Sequence, residues 1–265
     1  TPARLQYSEN SGILARSRGV DLWDQVALPE MIKAANPDYV TGMFGKWHLG
    51  GQRDVADAPA IGAYGFDASL TNFEGMGPKI LPLTRTPDAK EFKKIWGDAE
   101  RLGGPVTWMD RTKITTGYAD AAVHFIDEAA TKQKPFYVNL WTDDVHSPYF
   151  PPLEKWTPGK QRLYLSVLAE MDRQLGRVLD RVRNDPALRD NTIVIFTSDH
   201  GYHLGEHDFW AKVSLRDESA GVPLIISVPG KKTAVCDSLV ELLDLYPTVS
   251  KLCGLPVEKR LQGKD

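Results

Sequence analysis

The chain carries six histidines, and five of them (His48, His146, His200, His203 and His207) fall in short segments that follow runs of apolar residues. Only His124 lies inside a helical pattern. In open α/β sheets chemistry collects just beyond the carboxyl ends of the strands, so this sorting marks candidate site segments. Lys46 and His48 stand two apart in Gly45-Lys46-Trp47-His48-Leu49-Gly50; an extended chain there puts both on one face, with Cα atoms about 6.5 to 7 Å apart. An ammonium and an imidazole so placed can grip one small anion. The plainer reading is a solvated lysine beside a hydrogen-bonded loop histidine. Asp199-His200 offers a carboxylate and an imidazole to a cation, or else a carboxylate that caps a turn. His203 and His207 follow closely enough to join a zinc site, so spacing alone leaves the metal open. His146 sits in VHSPYFPP, where Pro148, Pro151 and Pro152 fix φ and stiffen the loop, as proton transfer by one held imidazole requires. Lys212 follows Phe209-Trp210-Ala211, an apolar setting for an ammonium, which an ordinary snorkelling lysine also uses. No nucleophile stands out: there is no GxSxG elbow, and neither Cys236 nor Cys253 has a sequence setting that would lower its pKa. Together these residues suggest an anion pocket with a proton donor.

The elements that must hold these residues alternate between helical periodicity and short apolar runs, the pattern of an α/β domain with a largely parallel sheet. Three-and-four spacing predicts helices over Leu28 to Ala35, Thr116 to Thr131 and Gln161 to Arg183. Asn36 and Pro37 end the first. Buried strands are expected at Phe136 to Trp141, Thr192 to Thr197 and Leu224 to Val228, with a fourth at Tyr39 to Phe44 interrupted by Gly42. Gly50 to Thr112 has weak periodicity and many Gly and Pro residues, so it reads as a long excursion with little regular structure. Trp96, Trp108 and Trp156 could stack on sugar rings, although buried loop anchors are the commoner use of Trp.

At 265 residues the chain is long enough to bury a sizeable core. Its 32 Lys and Arg against 35 Asp and Glu give a net charge of -3, which excludes the broad basic field that nucleic-acid binding needs. The longest apolar run, Val222 to Pro229, is far short of the ~20 residues that span a bilayer. Two cysteines are too few for a disulfide scaffold.

GMFGKWHLG (Gly42 to Gly50), the His146-Ser147-Pro148 loop and especially SDHGYHLGEHDFWAKVSLRDESAGVPLIISVPG (Ser198 to Gly230) resemble the type I sulfatases of the alkaline phosphatase superfamily. Asp244, Tyr246, Pro247 and Thr248 match the helix that follows in that family, and LQGKD is similar to its segment before a smaller C-terminal region. The resemblance covers nearly the whole chain and is weakest between Gly51 and Thr112. It implies an alkaline phosphatase-like α/β fold: a central, mostly parallel sheet with helices on both faces, truncated at both ends. Residues 1–265 would then be a single catalytic domain fragment. It further implies that Asp199 and His200 bind calcium, with zinc the lesser alternative. Lys46 and Lys212 would hold sulfate oxygens, His146 would serve the leaving-group oxygen, and His48 would assist sulfate release.

Family members use a formylglycine made from Cys or Ser in a C/S-x-P-x-R motif, and this sequence lacks both that precursor and the paired acidic metal ligands preceding it. Two registers are open for TPARLQ: a Cys immediately before Thr1 would let Pro2 and Arg4 complete the motif, or Pro2-Ala3-Arg4-Leu5 is the family's PARL segment downstream of it. Leu5-Gln6-Tyr7 favours the second, so Arg4 carries no catalytic assignment. The chain is therefore expected to be an internal, inactive fragment of a calcium-dependent sulfuric ester hydrolase acting on an aryl or saccharide sulfate. Its implied partners are that substrate and a formylglycine-generating maturation enzyme, with no nucleic acid and no membrane. Its implied location is secreted, periplasmic or lysosomal. Two other readings stay open: a phosphodiesterase or phosphonate monoester hydrolase, with His200, His203 and His207 favouring zinc, and a non-catalytic module that binds sulfated glycans.

Overall fold

Val40–Gly45 (β1) forms the strand expected from Tyr39 to Phe44, and in the computed structural model it lies within the main sheet. The structure describes residues 27–47, 60–72, 76–257 and 261–265. They fall into two units, Thr1–Val178 with Leu243–Asp265 and Leu179–Leu242.

In the first unit β1 pairs in parallel with Ala68–Thr71 (β2) on one side and Phe136–Trp141 (β6) on the other. Beyond β2 lies Lys79–Thr84 (β3), which pairs in parallel with β2 and with Val106–Asp110 (β5), and antiparallel with Lys93–Lys94 (β4). The stretch from Gly50 to Thr112 is thus no unstructured excursion: among its described residues it supplies β2 to β5. Its strands were hidden by residues that normally argue against a strand, Lys79 and Pro82 within β3. Lys79 is fully buried, and its ammonium donates to the carbonyls of Gly77, at 2.8 Å, and Gly103. Those carbonyls make a buried cation tolerable, while burial holds its pKa below the usual lysine range.

Alternation along the strands gives the sheet a core on each face. Phe44 and Ile80 pack with Ile114, Tyr118 and Ala122 of the helix Ile114–Thr131 (α2). The neighbouring Met43 packs instead with Trp47, Ile61 and Phe66, and Leu81 with Ala99 and Leu102. Each large side chain so buried contributes about 1.5 to 3 kcal/mol. Leu28–Ala35 (α1) has the bounds its sequence predicts. Glu30 accepts a hydrogen bond from the N–H of Ala27 at 2.7 Å, closing the helix start, and Asn36 ends it. Met31 of α1 receives the hydroxyls of Tyr246 and Ser250 from Leu245–Leu252 (α6) at 3.8 and 3.7 Å.

Lys160–Arg183 (α3) is the helix expected there, and the boundary between the units falls within it. Its buried positions include two polar ones, Glu170 and Gln174, beside Tyr164 and Val167. Gln174 Nε2 donates to Glu170 Oε1 at 2.8 Å, Arg173 pairs with the same carboxylate and Arg177 donates to Gln174 Oε1 at 2.7 Å, so a stripe of apolar residues alone misses these two buried positions.

The second unit continues with Pro186–Arg189 (α4), Val194–Phe196 (β7), His203–Leu204 (β8), Trp210–Ala211 (β9), Asp217–Ala220 (α5) and Ile225–Ser227 (β10). Here the strands expected at Thr192 to Thr197 and Leu224 to Val228 are shorter, and they pair antiparallel with each other. Nor are they buried on both sides: Phe196 is 42% and Ile225 60% exposed. Apolar runs of this length do not distinguish one covered face from two. No described helix is long and apolar enough to cross a membrane.

Candidate active site

Lys46 immediately follows β1, and its N–H donates to the carbonyl of Trp141, the last residue of β6, at 2.6 Å. That bond requires a sharp bend at Gly45, whose φ is +115° and whose absent Cβ would lie 1.8 Å from the same carbonyl oxygen. Trp47, 1% exposed, anchors the bend by packing edge-on against Tyr64 and Phe66. His48 lies outside the described residues, as does Arg4.

His146 stands on the loop after β6 with an exposed ring. Its N–H donates to Asp143 O at 2.9 Å, and its Nδ1 lies 2.8 Å from Ser147 O. A carbonyl can only accept, so Nδ1 carries a proton and Nε2 is the atom that gains or loses one. Downstream, Tyr149 is buried edge-on against Tyr164 of α3; upstream, Thr142 Oγ1 donates to Asp144 O at 2.9 Å. The loop is held on both sides of the imidazole.

Beneath this loop lies a polar network that sequence reasoning missed. Arg111, 1% exposed, bonds Asp143, approaches Asp144 at 3.2 Å and donates to the carbonyl of His146 at 3.1 Å. Asp143 also accepts from Asn72 Nδ2 at 3.3 Å, and Asn72 Oδ1 accepts from the N–H of Trp47 at 3.1 Å. Thr115 Oγ1 donates to Asp144. Burial opposes the charge on Arg111, but Asp143 and Asp144 outweigh it and raise the guanidinium pKa. Burial raises the Asp144 carboxyl in turn, with Arg111 pulling against it, and drives the Tyr118 phenol far up. Arg111 and Asn72 follow β5 and β2, so the strand-end rule would have found them had those strands been recognised.

In the second unit Asp199 and His200 follow β7. His200 Nδ1 lies 2.8 Å from Gly201 O, which leaves Nε2 as the ring's acceptor, 3.4 Å from Asp199 Oδ2. Two acceptor atoms facing each other at that separation suit neighbouring ligands of one divalent cation, and the carbonyl that fixes the ring is the usual outer partner of a ligating histidine. Gly201 is required here because a Cβ would stand 2.1 Å from Glu218 O. Lys212, half-buried, leaves the short hairpin of β8 and β9. His203 closes that hairpin: fully buried against Phe209, it places Nε2 2.9 Å from Ser214 Oγ, two residues beyond Lys212.

The zinc cluster of His200, His203 and His207 does not form. His203 is spent on Ser214, His207 lies 3.4 Å from Glu218, and no three His, Cys, Asp or Glu among the described residues can hold one ion. Both cysteines are free. The expectation that neither is activated needs correcting for Cys236, whose pKa is lowered by hydrogen bonds from the backbone and hydroxyl of Ser238. Two of the three tryptophans are structural partners: Trp108 donates to Glu100 at 2.7 Å beneath Lys94, and Trp156 packs on Phe150. Trp96 instead lies edge-on to His146, 6.5 Å between ring centres.

The Sulfatase family model matches residues 4–255. Arylsulfatase G of Mus musculus is 27% identical over 91% of this chain and 52% of its own length. Iduronate 2-sulfatase of Mus musculus is 33% identical over 48% of this chain and 29% of its own. The chain thus spans about half or less of the curated relatives it matches. A solved structure described as Ps i-CgsB in complex with k-i-k-neocarrahexaose superposes with a TM-score of 0.70 at 25% identity, covering 91% of this chain and 56% of that one. Members of the family generally use a formylglycine and a metal ion. A mostly parallel α/β sheet flanked by helices, with a family match over nearly all its length, identifies this chain as a member of the sulfatase family.

Proposed function

We propose that the full protein is a sulfuric ester hydrolase that cleaves sulfate from an aryl or saccharide sulfate. The observation that carries this reading is the family match, which runs through Lys46, His146, Asp199, His200 and Lys212. Lys46 and Lys212 bind and orient the sulfate oxygens, neutralising charge that grows as the ester bond lengthens. His146, its Nδ1 proton committed to Ser147 O, delivers a proton from Nε2 of the charged ring to the departing ester oxygen. His48 assists release of sulfate. Asp199 and His200 would hold calcium, chosen over zinc because among the described residues the carboxylate is joined by one histidine and no histidine cluster. When present, calcium polarises the sulfate oxygens and a formylglycine hydrate supplies the nucleophilic oxygen. The oligosaccharide bound to Ps i-CgsB supports a sulfated saccharide as substrate. Maturation by a formylglycine-generating enzyme and export or lysosomal delivery complete the reading.

The test is hydrolysis of 4-nitrophenyl sulfate and of sulfated oligosaccharides by the full-length protein co-expressed with a formylglycine-generating enzyme. We expect turnover, and losses in kcat/KM of roughly 100-fold or more for His146→Ala and for Lys212→Ala. Unchanged activity in both variants overturns the residue roles, and preferential turnover of a phosphonate monoester overturns the substrate class.

A further inference from the structure

We propose that Arg111 is a positioning residue for catalysis, holding the loop of His146 and, through Asp143 and Asn72, the turn of Lys46 in one fixed relation. The inference rests on the sulfatase reading of those two side chains. Its observations are independent of that reading.

The network joins the carboxyl ends of four parallel strands: Trp47 after β1, Asn72 after β2, Arg111 after β5 and Asp143 after β6. Asn72, Arg111 and Asp143 are at most 3% exposed, so the bonds between them are little weakened by solvent. Arg111 Nη1 donates to Asp143, while Nη2 donates to the His146 carbonyl and pairs with the Asp144 carboxylate. A lysine presents its charge at one point and cannot reproduce that planar fork. Trp96 adds a further contact, lying 5.6 Å from the guanidinium carbon and edge-on to His146. Among the described residues, the charged or titratable groups that act on the guanidinium are Asp143, Asp144 and the Tyr118 phenol. An ion pair with a purely structural role would need neither the bond to the His146 carbonyl nor the branch through Asn72 to the Lys46 turn.

The experiment uses the full-length matured protein with Arg111→Lys, and with Asn72→Ala as the milder variant that leaves the ion pair intact. Three quantities are measured: Tm, kcat and KM on 4-nitrophenyl sulfate, and the rate at which diethyl pyrocarbonate modifies His146. His124, whose side chain is 76% exposed on α2, is the internal reference for reactivity. Working well below each variant's Tm, we expect kcat to fall about tenfold or more while KM moves less than about threefold, the signature of lost orientation. His146 modification should change about threefold or more relative to His124, since access to the ring depends on how its loop is held. Should Arg111→Lys fail to fold, Asn72→Ala decides. Kinetics within about twofold of the parent together with unaltered His146 reactivity would falsify the proposal. A parent that hydrolyses no sulfate ester defeats the sulfatase reading alone, because His146 reactivity is read without turnover.

Discussion

Asp67 shows how a single carboxylate can make part of this fold pH-dependent. It accepts from the N–H and hydroxyl of Thr41 at 2.9 and 3.1 Å and from Lys33, tying β1 to α1. Burial pushes its pKa up, but the bonds from Lys33 and Thr41 prevail and hold it below the usual carboxylate value. A depressed folded-state pKa contributes stability that is present above the unfolded value near 3.9 and is lost as pH falls through the folded one. Asp67→Asn is therefore expected to destabilise by about 1 kcal/mol at neutral pH, a modest figure because solvent screens the half-exposed pair. Thermal melts of both proteins from pH 7 to pH 2 check this: the gap should close at acid pH, and a constant gap contradicts it. At this scale, Lys46, His146, Asp199, His200 and Lys212 were picked out as candidates because each follows an apolar run. Arg111 and Asn72 were not, because the strands they follow, β5 and β2, lie in the stretch whose strands the sequence hid.

Strand ends shape the candidate site, and the end of β1 is the most constrained. With a Cβ only 1.8 Å from Trp141 O, Gly45→Ala must shift either β1 or β6 and also forces a left-handed residue. The expected cost is about 3 kcal/mol, combining overpacking with backbone strain. On a chain of this size that lowers Tm by roughly 5–10 °C, measurable by calorimetry. A melt within about 2 °C of the parent would show that the bend is not required. Elements with a single strong period, α1, α2 and β6, could be read directly from sequence. β3 could not, because its lysine is satisfied by the carbonyls of Gly77, two residues earlier, and of the distant Gly103, and its Pro82 pairs in register with Met109. Such solutions belong to the folded chain and leave no local mark.

Metal dependence is a property of the molecule as a whole, since a ligand that binds only the native state raises the stability of everything coupled to it. If the metal is calcium as proposed, calcium at about a hundred times its Kd would add about 2.7 kcal/mol, and Tm should rise by roughly 5–10 °C. Chelation should reverse the rise and Asp199→Ala should abolish it; a shift with zinc alone would count against calcium. Two surface pairs between β3 and β5 bear on the whole molecule in another way. There Arg85 lies over Phe92 at 4.8 Å and Lys94 over Trp108 at 4.2 Å, surface pairs hung on strands whose opposite ends carry the buried lysine clamp. Neither pair belongs to the Asn72–Asp143–Arg111 network. Exchanges confined to these surface pairs can accumulate over generations while Trp96 and the carbonyl of Gly103, in the same segment, stay fixed by their contacts with Arg111 and Lys79.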